Sequence, residues 1–233
     1  MKILNILAML GMALVSCFAP AAESADLGLT GTVTTGACTP GLSVSDVDFG
    51  NISTAALTNT FSPAEKETVL TVTCPVEMLV AMQMIDNRAD SLDLNNDGVP
   101  APSTGTQLSG FGLGFTDQAE SVALGYMQIA LGSKRNGASL NPTIDSNPLQ
   151  VLYTPTLNGE NTQWRTGSSG ESVNGNPNMY FSWTKQGDPI VPKTFKSVVM
   201  PMSIQLLLNA ANILDISNDV PIDGSITLAL VYL

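Results

Sequence analysis

The sequence predicts an all-β protein that forms a sandwich of short strands. Two observations support this prediction. Short runs rich in Val, Thr, Leu and aromatic residues alternate with turn dipeptides along most of the 233 residues. The closing residues 225–233 place Ile226, Leu228, Leu230 and Tyr232 at period two, the spacing that puts side chains on one face of a strand. A row of backbone donors and acceptors on such an apolar strand has to be paired by some neighbour.

The other predicted elements follow the same two signals. The predicted strands are Leu27–Thr34, Thr68–Cys74, Leu79–Ile85, Tyr126–Leu131, Leu149–Tyr153, Met179–Trp183, Val198–Leu208 and Ser225–Leu233, and the turn dipeptides are Asn136-Gly137, Asn158-Gly159, Asn174-Gly175 and Asp223-Gly224. Residues 202–211 are the one region that could also form a helix. There a strand is favoured by the alternation of Met202, Ile204, Leu206 and Leu208. Residues 136–192, rich in Gly, Asn, Ser and Pro, are expected to form long surface loops around two or three strands.

Composition excludes several classes of function. The chain has 9 Lys and Arg against 20 Asp and Glu, a formal charge of -11. Nucleic acid and anionic lipid need clustered cations, so neither is an expected partner. The complete absence of histidine removes Ser-His-Asp and Cys-His catalysis and His-ligated metals. We therefore expect a protein that is not an enzyme and needs no cofactor.

The first 22 residues read as a secretory signal peptide. Lys2 supplies a positive start, residues 3–15 are apolar, and small residues allow cleavage after Ala21 or Ala22. The apolar stretch is too short to span a bilayer. An alternative reading uses Leu14-Val15-Ser16-Cys17, a lipoprotein pattern in which Cys17 becomes the lipidated first residue.

Cleavage after Ala21 or Ala22 leaves Cys38 and Cys74 as an even pair in an oxidising compartment. Their separation suits neither a metal site nor a redox motif, so we expect a structural disulfide. Closing a loop of this size stabilises a fold by about 4 kcal/mol in the chain-entropy model.

Together these features resemble the chaperone–usher fimbrial subunits of Gram-negative bacteria. The matching residues are Gly31-Thr-Val-Thr-Thr-Gly-Ala-Cys38-Thr-Pro, Cys74 in Leu70-Thr-Val-Thr-Cys74, and the ending Val231-Tyr232-Leu233. The chain is similar to the beta-fimbriae major-subunit-like group in Asp48-Phe-Gly-Asn-Ile52, Asp86-Asn-Arg-Ala89, Phe111-Gly-Leu-Gly114 and the stretch from Leu214 to Gly224. The landmarks cover essentially the whole predicted mature chain.

The resemblance implies an incomplete immunoglobulin-like (pilin) sandwich, completed by a donor strand from another chain. Residues 23–36 would be the donor-strand extension and residues 37–233 the pilin-like domain. Leu27, Leu29, Gly31 and Val33 would be the inward-pointing donor residues, and Cys38 and Cys74 would form the family's bridge. Ile226, Leu228, Leu230 and Tyr232 would border the groove, with the Leu233 carboxylate anchored to a basic site on a chaperone.

The implied function is structural. The chain would be a subunit of a surface fimbria, exported through the periplasm and assembled by donor-strand exchange. Its partners would be a periplasmic chaperone, an outer-membrane usher and other fimbrial subunits. Two alternatives stay open: a carbohydrate-binding fimbrial adhesin, and a periplasmic or outer-membrane lipoprotein with a complete sandwich. The alternating stretch before Cys38 argues against the adhesin, and a lipidated Cys17 would favour the lipoprotein.

Three further patterns resemble ligand-binding motifs. Asp93, Asn95 and Asp97, followed by Gly98, copy the opening of a calcium loop, but the twelfth position is Thr104 and not Glu, which favours a polar turn. Trp164, Tyr180, Phe181 and Trp183 could stack on sugars, although such residues are more often core. The glycine-containing run from Phe111 to Phe115 lacks the setting of a phosphate loop, and we expect a β-bulge or tight bend.

Overall fold

Strands make up almost all of the regular structure that the chain shows. The computed structural model describes residues 36–58, 61–92, 110–116, 122–132, 141–166, 173–174, 179–214, 216 and 218–233. The strands are β1 (Thr39–Leu42), β2 (Lys66–Met78), β3 (Val80–Asp86), β4 (Phe111–Gly112), β5 (Gly125–Leu131), β6 (Thr143–Ile144), β7 (Asn147–Thr154), β8 (Arg165–Thr166), β9 (Val173–Asn174), β10 (Tyr180–Lys185), β11 (Phe195–Leu208) and β12 (Ile226–Tyr232). A short helix α1 (Ala211–Leu214) and 3-10 turns at Thr54–Ala56, Ala89–Ser91 and Gly159–Asn161 complete the regular structure of these residues.

The predicted strands that fall on described residues are all present. They correspond to β2, β3, β5, β7, β10, β11 and β12, and residues 202–208 continue β11 as a strand and not as a helix. The first predicted strand, Leu27–Thr34, lies outside the described residues. Five strands were not predicted. Four of these have two residues each, and β1 contains Pro40 and Gly41, which are poor strand formers.

The strands form one antiparallel sheet. Its order is β1-β2-β11-β6-β7-β10-β3-β12, with β4, β5, β8 and β9 branching from this path. The longest strand, β11, pairs with β2, β5 and β6, so that Val198 lies opposite Val72 and Met200 opposite Leu70. Strands from the Gly- and Asn-rich residues 136–192 belong to this same sheet.

The turn between β6 and β7 fixes an irregularity in β11. Asp145 and Ser146 both have positive φ, 46° and 64°, as a two-residue hairpin turn of type I′ requires. The Asp145 carboxylate accepts hydrogen bonds from the backbone N–H groups of Lys196 (3.0 Å) and Ser197 (2.9 Å). The β11–β2 register shifts at this point, between Phe195 and Ser197, so one aspartate stabilises both the turn and the β-bulge.

Two apolar clusters form the core. In the main cluster Trp183 packs edge-on against Phe195, with ring centroids 5.4 Å apart, which is a favourable aromatic geometry. The main cluster is built chiefly from β2, β3, β10 and β11, and its fully buried members include Leu70, Met82, Met84, Phe181, Trp183, Phe195, Val198 and Met200. The smaller second cluster contains Leu57, Leu113, Leu124, Leu206, Leu208 and Leu214.

The two terminal strands of the sheet path approach each other. The Tyr232 hydroxyl, at the end of β12, accepts a hydrogen bond of 2.8 Å from the backbone N–H of Cys38, directly before β1. The sheet is therefore nearly closed, like a barrel with one open seam between β1 and β12. The all-β prediction is confirmed, whereas an immunoglobulin-like sandwich completed by a donor strand stays a prediction.

Candidate functional site: the open edge of the last strand

The terminal strand is paired on one side. Every residue of β12 from Ile226 to Tyr232 has a partner in β3, running from Asp86 to Val80. Within the described residues no strand pairs with the opposite edge of β12, which ends the path of the sheet. The Leu233 backbone N–H continues the ladder by donating to the Leu79 carbonyl oxygen (3.1 Å). One edge of this strand thus presents its backbone groups to whatever lies beside it.

The core-facing side chains of β12 are incompletely covered. Ile226, Leu228 and Leu230 pack against the main core cluster, as the period-two pattern predicted, but all three are only half-buried. Tyr232 is 47% exposed and Leu233 45% exposed. Natural edge strands usually prevent association by carrying charged residues or proline. β12 contains neither. Its surface therefore suits an extended apolar segment.

The opposite side of the seam comes from the chain that follows β1. Val47 and Phe49 are half-buried and pack against the same core cluster as β12. The chain from Cys38 to Phe49 begins beside Tyr232 and reaches a cleft that Gly224 also lines. It therefore runs alongside β12 in the opposite direction. We call the surface of Ile226, Leu228, Leu230, Val47 and Phe49 the edge groove.

One end of the edge groove is fastened covalently. Cys38 and Cys74 form a disulfide across 36 residues of sequence, so this prediction is confirmed. The disulfide ties the start of β1 to β2, while the hydrogen bond from Cys38 N–H to the Tyr232 hydroxyl joins β1 to β12. The penultimate tyrosine therefore lies where the two sides of the seam meet.

At its other end the groove widens into a cleft of about 920 Å³. The floor belongs to the second core cluster and includes Leu57, Leu124, Leu208 and Leu214. The rim carries the carboxylates of Asp46, Asp48 and Asp219. The complete lining is residues 45–52, Thr54, Leu57, Leu124, Leu208, Leu214, Ile216, residues 218–222 and Gly224.

The Asp86-Asn-Arg motif organises the start of β12. The Asp86 carboxylate accepts hydrogen bonds from the N–H groups of Arg88 (2.8 Å) and Gly112 (2.9 Å). A side chain on Gly112 would collide with the Arg88 carbonyl oxygen and the Ser91 hydroxyl, so glycine is required for this close approach. Ser91 in turn accepts a 2.9 Å hydrogen bond from the Gly114 N–H.

The same motif contacts the segment that leads into β12. Arg88 forms an ion pair with Asp223, with Nη2–Oδ2 and Nε–Oδ2 distances of 2.7 and 2.8 Å. The Asn87 amide donates to the hydroxyls of Ser225 (3.1 Å) and Thr227 (3.0 Å). Three motifs that are far apart in sequence therefore meet here, and residues 48–52 line the neighbouring cleft. No sequence signal showed that these motifs would converge on one strand.

Several predicted site residues lie outside the described residues. These are the donor residues Leu27, Leu29, Gly31 and Val33, the candidate calcium ligands Asp93, Asn95 and Asp97, and Cys17 with the rest of the signal peptide. Among the residues that the structure does describe, no group of three or more His, Cys, Asp or Glu side chains could hold a metal ion. None of the described helices is long and apolar enough to cross a membrane.

For two of the four aromatic residues, the structure agrees with the core interpretation and excludes the alternative of sugar binding. Phe181 and Trp183 are fully buried in the main core, because their parity in β10 points them inward. The Trp183 indole N–H donates to the Met200 sulfur at 3.4 Å, so its polar atom is also used internally. These two rings cannot stack on a glycan. Burial also raises the pKa of the Tyr126 phenol, another core side chain at 2% exposure.

Comparison with known proteins gives two resemblances. A family model described as "Protein of unknown function (DUF1120)" matches residues 27–140, a range that includes the predicted donor residues from Leu27 to Val33 and strands β1 to β5. Over 248 aligned positions the chain is 25% identical to "Protein GltF" of Escherichia coli (strain K12), covering 98% of this chain and 96% of that protein. Neither description mentions fimbriae or any other function.

Proposed function

We propose that this protein is a non-enzymatic structural subunit of a bacterial surface fimbria, assembled through donor-strand exchange. The observation that carries the proposal is the apolar edge of β12 that has no partner strand among the described residues. An edge of this kind is a template for strand addition from another chain. The incomplete immunoglobulin-like fold of fimbrial subunits would leave such an edge, and the half-buried state of Ile226, Leu228 and Leu230 is what a missing neighbour would produce.

The energetics favour occupation of the groove. Full burial of a Leu or Ile side chain is worth about 1.5–3 kcal/mol, so completing the burial of three half-buried side chains contributes several kcal/mol. The added strand would also pair the backbone groups on the edge of β12 that has no partner among the described residues, an edge that otherwise promotes nonspecific aggregation.

The proposed occupant is residues 27–33 of another copy. Leu27, Leu29 and Val33 alternate as β12 does, and Gly31 leaves room where the groove passes close to the incoming backbone. Every described strand pair in this protein is antiparallel, and antiparallel pairing is slightly the more stable. In that orientation Val33 would lie at the start of β12 beside the cleft, and Leu27 would lie near Tyr232.

The competing occupant is the same segment of the same chain. Because Cys38 lies beside Tyr232, residues 27–33 of this chain could line β12 only by a tight reversal before Cys38. They would then run parallel to β12, unlike every described strand pair. That arrangement is the complete sandwich of the lipoprotein alternative, and it would give a monomer whose stability does not depend on concentration.

A chain extended at its C-terminus tests the proposal. We would append a copy of residues 26–35 to Leu233 through a flexible linker and compare it with the unextended mature chain. The matched control carries the same extension with both of its leucines changed to asparagine. If the strand contributes about 5 kcal/mol, the midpoint of thermal unfolding should rise by roughly 10–20 °C and the protein should be monomeric.

The outcomes separate the two occupants. The proposal expects that the unextended chain forms concentration-dependent oligomers and that the control behaves like the unextended chain. A monomeric unextended chain with the same unfolding midpoint as the extended one would overturn donor-strand exchange and support the self-completed sandwich. Binding of a periplasmic chaperone to the extended chain should be weaker, since its groove would already be occupied.

A further inference from the structure

A methionine sulfur lies against the disulfide. Met78, the last residue of β2, places its Sδ atom 3.7 Å from the Sγ atom of Cys38. A disulfide sulfur carries no hydrogen, so this is a van der Waals contact between two sulfur atoms. Cys38 and Cys74 are only 7% and 4% exposed, and Met78 is half-buried. The Met78 side chain is therefore part of the cover that separates the disulfide from solvent.

Met78 is also one of the more exposed methionines of the chain. Beyond residue 22 the sequence has seven methionines, and the structure describes all of them. Five are at most 9% exposed, namely Met82, Met84, Met179, Met200 and Met202. Met78 and Met127 are half-buried, so a dissolved oxidant reaches these two side chains more easily than the others. Met127 pairs near the end of β11, at Leu206, whereas Met78 pairs at its start.

The surroundings of Met78 suit a thioether and not a polar group. Its backbone pairs with that of Phe195, whose ring is fully buried and packs edge-on against Trp183. The Met78 side chain packs against the same core cluster. A thioether fits there because it is apolar and flexible. A sulfoxide in this place would bury a strongly polar oxygen among apolar neighbours, which is unfavourable without a hydrogen-bond donor.

The position of Met78 connects this contact to the seam between β1 and β12. The next residue, Leu79, accepts the Leu233 N–H with its carbonyl oxygen. Across the seam, the Cys38 N–H donates to the Tyr232 hydroxyl. A movement of the Met78 side chain out of the core would therefore occur where β1, β2 and the end of β12 meet, and it would uncover the Cys38 sulfur.

We propose that Met78 is an oxidation site that controls access to the Cys38–Cys74 disulfide. A two-electron oxidant such as hydrogen peroxide transfers one oxygen atom to Sδ: the S–O bond forms, the O–O bond breaks and water leaves. The sulfoxide turns toward water, and Cys38 Sγ becomes open to attack by a thiolate. Two molecules of a small thiol then reduce Cys38 and Cys74 to thiols and are themselves joined as a disulfide. This inference does not depend on the proposed function.

Three variants and the natural mature chain test the oxidation site. Met78→Leu keeps an apolar side chain of similar volume that cannot be oxidised. Met127→Leu removes the other half-buried thioether, and Met78→Gln introduces a polar group without any oxidant. After treatment of the natural chain with hydrogen peroxide, peptide mass spectrometry should find one added oxygen atom at Met78 and at Met127. A Met78 that stays unmodified while Met127 is oxidised would overturn the proposal, as would equal oxidation of all seven methionines.

Reduction by dithiothreitol then measures access to the disulfide. Free thiols should appear about tenfold faster in the oxidised natural chain than in the untreated one, and Met127→Leu should show the same increase. Met78→Leu should be reduced slowly before and after the oxidant, whereas Met78→Gln should be reduced rapidly without it. A methionine sulfoxide reductase should restore slow reduction of the oxidised chain. Equal rates in oxidised natural chain and oxidised Met78→Leu would show that Met78 does not control the disulfide.

Hydrogen exchange separates a local opening from general unfolding. After oxidation, the amides of Cys38 and Leu233 should exchange faster, because both are hydrogen-bonded beside Met78. The amides between β2 and β11 should keep their protection. Loss of protection throughout the sheet would overturn the inference, since the thiol would then reach the disulfide through unfolding of the whole chain.

Discussion

The strands β11 and β12 are alike in composition and unlike in surroundings. β11 has partners on both of its edges, and Val198, Met200 and Met202 are at most 3% exposed. β12 has a partner on one edge, and its equally apolar Ile226, Leu228 and Leu230 stay half-buried. Apolar residues at period two therefore select the face that points inward, whereas neighbouring strands decide how completely that face is covered. Among the described residues, β12 is therefore the less completely covered of the two strands.

Removing the disulfide should have the largest effect, because the bond ties the start of β1, which borders the seam beside β12, to β2, which pairs with β11. In a chain with Cys38→Ser and Cys74→Ser, the loop of 36 residues is no longer closed, and we expect a loss of about 4 kcal/mol in the free energy of unfolding. Urea denaturation of the two proteins measures this loss. A loss below about 1 kcal/mol would show that packing alone holds β1 against β2.

A pair of truncations compares the two strands directly. Met200→Ala in β11 should cost about 2–5 kcal/mol whether or not a donor strand is appended. Leu228→Ala in β12 should cost about 1 kcal/mol in the unextended chain and about 2–4 kcal/mol when residues 26–35 are appended. Chemical denaturation of the four variants and of their two parent chains gives these costs in unfolding free energy. Equal costs for Leu228→Ala in both backgrounds would mean that the appended segment does not cover this side chain.

The Asp86 network should have an intermediate effect. Asp86→Asn keeps the shape of the side chain but removes the negative charge that accepts hydrogen bonds from two backbone N–H groups. We expect the free energy of unfolding to fall by about 1–2 kcal/mol. Hydrogen exchange should show faster amide exchange at the start of β12, whereas the β2–β11 pairing keeps its protection. The exposed variant Asp90→Asn serves as the control. Uniform loss of protection across the sheet would contradict a local role.

The smallest expected effect is that of Tyr232→Phe. This change removes the acceptor of the Cys38 N–H hydrogen bond while keeping the ring, and it should cost about 0.5–1.5 kcal/mol. The amide of Cys38 should exchange faster in the variant, which NMR can follow residue by residue. An unchanged exchange rate would mean that solvent replaces the tyrosine hydroxyl without penalty, and that this contact does not hold the seam.

Regular strands were predictable, but contacts between distant segments were not. Val198–Leu208 and Ser225–Leu233 were found from alternation because each strand has one face toward the core. The turn at Asp145-Ser146 was missed, since its positive φ values occur without glycine and depend on the bulge in β11 that the aspartate stabilises. The shared parity of Phe181 and Trp183 already favoured core positions, and the position of β10 between β7 and β3 shows that both side chains are fully buried.

The amino-acid sequence by itself determined the all-β class, the pair of cysteines, the lack of histidine chemistry and the apolar face of the last strand. These properties follow from residue identity and local periodicity, which need no knowledge of neighbours. The tertiary structure alone decided that β12 ends the path of the described strands, that the Tyr232 hydroxyl bonds to the Cys38 N–H, and that the Asp86 motif supports the start of β12. Each of these depends on which strands pair over long sequence separations, because pairing sets the burial and hydrogen bonding of a side chain.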